Sequence, residues 1–68
     1  MKNIYKIEYW RFHQCRQREV FTNKRKAQKW LRESGWWIDF DMGDCMIYIY
    51  KNEEEINFVK DKGWRSAY

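Results

Sequence analysis

The chain contains no proline, three glycines, two cysteines and one histidine in its 68 residues. Without proline, and with no low-complexity linker, nothing marks a boundary, so residues 1–68 are expected to form a single small domain. No run of 18 apolar residues occurs, and no membrane span is expected. The opening Met1-Lys2-Asn3-Ile4-Tyr5-Lys6 lacks the apolar stretch of a secretory signal, which points to the cytosol. In that reducing setting Cys15 and Cys45 are expected to be free thiols. His13 and the two cysteines fall short of four zinc ligands, and Cys45 reads as a core thiol. Asp39, Asp41 and Asp44 supply too few oxygens for calcium. There is no phosphate loop, and His13 beside Cys15 lacks the orienting third group that a nucleophile needs. A non-enzymatic protein without metal or cofactor is expected.

What the chain does have is aromatic bulk: five Trp, five Tyr and four Phe. In so small a domain these side chains must supply most of the apolar area available for burial. Charge is distributed unevenly. Residues 1–35 carry ten Lys/Arg against Glu8, Glu19 and Glu33, a balance of +7. Residues 36–68 carry Lys51, Lys60, Lys62 and Arg65 against seven acids, a balance of −3. Such asymmetry implies a basic face that meets an acidic or phosphate-bearing partner.

The stretch from Trp36 to Tyr50 organises the expected fold. Two period-two runs flank Gly43-Asp44, a pair suited to a two-residue hairpin turn. In that register Trp36, Ile38, Phe40, Met42, Cys45, Ile47 and Ile49 share a core face. Upstream, residues 3–12 alternate as a strand with Tyr5, Ile7 and Tyr9 inward. Residues 13–21 are expected to turn and return as a ribbon through Gln17 to Phe21, although no Gly, Asn or Asp marks the turn; the alternative is a long, irregular basic loop. Thr22 or Asn23 then caps a helix over about 23–34, with Ala27, Trp30, Leu31 and Ser34 inward and Gly35 as its stop. Asn52-Glu53-Glu54-Glu55 reads as a capping box opening a second helix over about 53–62, stopped by Gly63. The two units echo one another, each ending in Gly-Trp, which places a last strand at Trp64 to Tyr68. The expected fold class is α+β, a ferredoxin-like βαββαβ with an antiparallel sheet and two helices on one face. The alternative is one helix packed on a five-stranded antiparallel sheet.

Two sets of side chains stand out as partner-binding candidates. The uncovered sheet face should show Trp10, Phe12, Trp37, Met46, Tyr48 and Tyr50, interleaved with Lys6, Glu8, Asp39 and Asp41. Exposed aromatics of this kind mark a protein contact, a self-association face giving a homodimer, or a platform for stacked bases. The second set is basic. Lys24, Arg25 and Lys26 crowd a first helical turn, where the dipole disfavours cations, and Lys29, Arg32, Arg16 and Arg18 lie nearby. That placement hints that the charge serves a partner, either an acidic protein surface or a phosphate backbone.

The face geometry resembles that of RNA-recognition modules, which stack bases on the aromatics of central strands. The run Phe21-Thr22-Asn23-Lys24-Arg25-Lys26-Ala27-Gln28-Lys29-Trp30-Leu31 is similar to the strand-to-helix junction in the amino-terminal DNA-binding domains of some phage integrases. Taken whole, the short aromatic-rich chain resembles the small phage-encoded inhibitors of host defence, anti-CRISPR proteins among them. The resemblance implies a non-enzymatic protein that blocks a host protein or ribonucleoprotein complex by occupying its surface. Binding to DNA or RNA is the alternative.

Overall fold

The computed structural model describes residues 2–65. Strands β1 (Tyr5–Arg11) and β2 (Gln14–Phe21) pair as an antiparallel hairpin. Helices α1 (Lys24–Glu33) and α2 (Trp36–Asp41) follow, then β3 (Met46–Lys51) and the two-residue β4 (Glu54–Glu55). All pairings are antiparallel, in the order β2-β1-β3-β4. The fold is α+β, with a four-stranded antiparallel open sheet and two helices. The helices are consecutive, between the second and third strands, so neither the βαββαβ order nor one helix on five strands is observed.

The expected ribbon at 13–21 is present and longer than expected. Its turn is Phe12-His13, both at positive φ (52° and 62°), the signature of a type I′ hairpin turn. His is among the non-glycine residues that visit this region more often, but bulky Phe12 is not, and the conformation costs such a residue about 1–2 kcal/mol. Register slips by one between Tyr9↔Gln17 and Trp10↔Cys15, leaving Arg16 opposite no residue, a bulge in the edge strand.

Helix α1 starts as expected: the Asn23 side chain accepts from the Lys26 amide at 3.1 Å. At its other end Gly35 adopts φ 82° and passes the chain directly into α2. Here the expected hairpin over Trp36 to Tyr50 is corrected. Trp36-Trp37-Ile38-Asp39-Phe40-Asp41 is a helix, and a short apolar run satisfies either period. The helical spacing wins because it buries Trp36 and Trp37 and half-buries Phe40, sending Ile38 and Met42 to 60% and 70% exposure. Gly43-Asp44 then ends the helix, with their amides donating to the Phe40 and Asp39 carbonyls. The strand partner of β3 is β1, as in Ile7↔Ile49 and Tyr9↔Ile47.

The expected second helix at 53–62 is also absent. Asn52 and Glu53 (φ 51° and 69°) form another two-residue turn, joining β3 to β4. Asn52 is taken up by the start of the chain, where its side-chain oxygen accepts from the Ile4 amide at 2.9 Å and its own amide donates to the Ile4 carbonyl. It therefore caps no helix. Trp64 opens no strand within the described residues; residues 66–68 of the expected last strand lie outside them.

The core lies between one sheet face and the helices. Tyr5, Ile7 and Tyr9 of β1 and Ile47 and Ile49 of β3 meet Ala27 and Leu31 of α1 and Trp36 and Trp37 of α2. Trp64 is fully buried among them. Alternation then places Lys6, Glu8, Trp10, Tyr48 and Tyr50 on the opposite, helix-free face. The segment carrying Trp64 is held against α1 at three successive turns. Lys24 pairs with Asp61 at 3.2 Å, Gln28 donates to the Lys62 carbonyl at 3.4 Å, and Arg32 donates to the Gly63 carbonyl.

Candidate functional site

Of the five aromatics expected on the open face, Trp10, Tyr48 and Tyr50 share it. Trp10 and Tyr48 meet edge-on with ring centroids 6.0 Å apart, and Tyr50 lies under the Lys6 ammonium at 4.9 Å. Trp37 does not join them. It is buried in α2, and its indole N–H donates to the Trp64 carbonyl at 3.0 Å. The cause is the helix itself, which turns residue 37 inward where a strand would have turned it out. Phe12 sits in the hairpin turn beyond the face, 79% exposed.

At the centre of the face Glu8 is only 4% exposed. Its carboxylate accepts from the Trp10 indole and from Arg18 Nε, both at 2.9 Å, with Lys6 at 3.8 Å. Burial alone raises the Glu8 pKa, but the hydrogen bonds from Trp10 and Arg18 and the nearby charges outweigh it, so the net shift is downward. Asp61 is also shifted down, first by its bond from the Trp64 indole and then by Lys24, against the burial that raises it. Depressed carboxyl values contribute stability above the ordinary values of 4.5 and 3.8, lost as pH falls through the folded-state values. Stability should therefore hold at neutral pH and decline in acid below about pH 4.5. Glu8→Gln should flatten part of that decline, which urea midpoints measured from pH 7 to pH 2.5 will check.

The expected acids of the open face have other duties. Asp39 accepts from the buried Tyr9 hydroxyl at 2.9 Å, and Asp41 pairs with Arg65. Burial, and then the Asp39 carboxylate, push the Tyr9 phenol and the Cys45 thiol above their ordinary values. Among the described residues no three His, Cys, Asp or Glu side chains converge as a cation site.

The basic candidates divide in two. Lys24 and Arg32 hold the Asp61–Gly63 segment, and Arg18 holds Glu8. Arg25, Lys26, Lys29 and Arg16 are exposed and make no ion pair among the described residues. The first turn of α1 itself contains no acidic residue. That turn follows Phe21, opposite Tyr5, whereas Phe12 lies past Arg11 at the other end of β1. Six residues of strand separate the two ends by about 20 Å. The structure thus does not unite the basic turn with the hairpin end.

One region was missed from sequence. Arg11, Phe12, Gly43, Asp44 and Met46 surround a cleft at the hairpin end. The available signal was the hairpin turn without Gly, Asn or Asp. Among the described residues no helix is long and apolar enough to cross a membrane. In comparisons with known proteins, no family model, curated protein or solved structure matches the chain.

Proposed function

We propose that the protein is a non-enzymatic inhibitor that occupies the surface of a host protein or ribonucleoprotein complex, of the phage anti-defence type. The observation that supports this reading is the division of side chains between fold and surface. The core and the clamp on Trp64 use Trp36, Trp37, Lys24 and Arg32, while exposed Phe12 and Met46 remain together at one end of the sheet. Exposed aromatic and methionine side chains close together mark protein interfaces. Arg25, Lys26 and Lys29, without an ion pair among the described residues, add a cationic flank that speeds association with an acidic partner.

The test is phage plating on strains that each carry one nuclease-based defence system, CRISPR interference included, with and without the chain. Rescue of a targeted phage in at least one strain, with a partner captured after nuclease treatment, is expected. Absence of rescue in every strain refutes the reading. A second reading, a basic nucleic-acid module, draws on the exposed cations of α1 alone. It calls for affinity that falls steeply with salt.

The double variant Arg25→Glu, Lys26→Glu spares the Lys24–Asp61 pair. It should raise stability by about 0.3–1 kcal/mol per charge, because acids suit a helix N-terminus. In the plating assay the same variant should lose inhibition through slower association. Urea denaturation beside plating checks both parts.

A further inference from the structure

At the end of the β1–β2 hairpin, between its turn and the Gly43-Asp44 loop, lies a cleft of about 470 Å³. Its walls include Trp10, Arg11, Phe12, Asp44, Met46 and Tyr48. The Arg11 guanidinium makes no hydrogen bond and no ion pair among the described residues, and its Nε is buried without a partner. The Phe12 ring lies 5.7 Å from its Cζ. A buried donor left unpaired is costly, and a guanidinium presents its donors as a fork that matches a carboxylate.

The turn adds a second, independent observation. Phe12 and His13 hold positive φ although hairpin turns of this kind favour Asn-Gly. The Asn52-Glu53 turn of the same molecule does place Asn first. Both turns carry a non-glycine residue second, so the contrast lies at the first position, where Phe12 stands in place of an Asn and indicates that its side chain serves something besides folding. Phe12 and Met46 stand 79% and 51% exposed at the cleft mouth.

We propose that this cleft docks an acidic side chain of a partner protein, with its carboxylate on the Arg11 guanidinium and its apolar neighbours against Phe12 and Met46. Aromatic, Met and Arg side chains gathered around one pocket are the composition of interface centres. The Asp44 carboxylate in the same wall opposes a polyanion, whose binding surfaces are strongly positive. A single acidic side chain between apolar residues fits one cation and one anion better than a phosphate backbone does. The proposal rests on the protein-partner reading above, and its test is independent of the plating assay.

Amide and Arg Nε–Hε resonances of the full chain are followed by NMR while an acetylated, amidated Leu-Asp-Leu tripeptide is added. Saturable shifts at Arg11, Phe12 and Gly43 are expected, with binding at least about tenfold weaker for Leu-Asn-Leu, the loss of one charge-assisted hydrogen-bonded pair. Arg11→Gln should abolish the difference between the two peptides. Phe12→Asn with His13→Gly should raise the melting temperature by about 5 °C or more and still weaken peptide binding. That variant separates loss of the site from loss of the fold. Equal response to both peptides, undiminished binding by the Phe12/His13 variant, or saturable shifts only with an oligothymidine probe would falsify the proposal.

Discussion

Replacing Trp64 with Ala is expected to remove about 3–5 kcal/mol of stability, the usual cost of deleting a buried tryptophan. Trp64 is the largest fully buried side chain, and its contacts join every layer. Its ring packs against Tyr5 of β1 at 6.0 Å, its indole N–H donates to Asp61, and its carbonyl accepts from Trp37 of α2. A domain of this size holds on the order of 3–10 kcal/mol in all, so the loss is a large fraction of the total. The urea midpoint of Trp64→Ala should fall by about 2 M or more, at a slope near 1–1.5 kcal/mol per M. Trp64→Phe should fall between the two, because it keeps a ring and loses the bond to Asp61. An unchanged midpoint for Trp64→Ala would mean that residues 61–65 do not close the core.

Gly63→Ala tests the same closure through the backbone. Gly63 has φ 107°, outside the region an L side chain readily adopts. A methyl there meets the end of the Gln28 side chain at 2.8 Å. Gln28 is flexible and can move, but only by giving up its bond to the Lys62 carbonyl. The φ strain is therefore the larger part, and a loss of about 1–3 kcal/mol is expected in chemical denaturation. Gln28→Ala in the same background should recover the smaller, steric share. If Gly63→Ala is neutral, the chain at 63 does not take the conformation described.

The parts of the fold legible in sequence were those with one physically acceptable reading. Lys6 and Glu8 alternate with Tyr5, Ile7 and Tyr9, so the inward face of β1 was decided by charge. Asn23 and Gly35 bracketed α1, and its inward Ala27 and Leu31 are buried. Trp36 to Asp41 had two acceptable readings, because aromatics at 36, 37 and 40 satisfy a helix as well as Trp36, Ile38 and Phe40 satisfy a strand. Tertiary pairing decided it, since β1 already offered β3 a partner. Asn52 had two readings as well. Its use by Ile4, 48 residues away, is a long-range bond that local capping rules do not contain.

The same distinction applies to the candidate surface. Trp10, Tyr48 and Tyr50 followed from strand alternation and share a face. Trp37 was lost with the strand that was to carry it. Lys24 and Arg32 looked like surface charge because their acceptors, Asp61 and the Gly63 carbonyl, lie about 30–40 residues away in sequence. Arg11 gave no signal of its own. Its significance arises where the turn and the Gly43-Asp44 loop approach, which is a property of the folded chain.

The most direct test of a surface kept for a partner at the cost of stability is phage plating with the Phe12→Asn, His13→Gly variant. Plating of the targeted phage on the defended strain should drop to the level of cells lacking the chain, although the variant melts above the parent protein. Inhibition retained at the parent level by the more stable variant would contradict the account and leave the Phe12-His13 turn without a functional role.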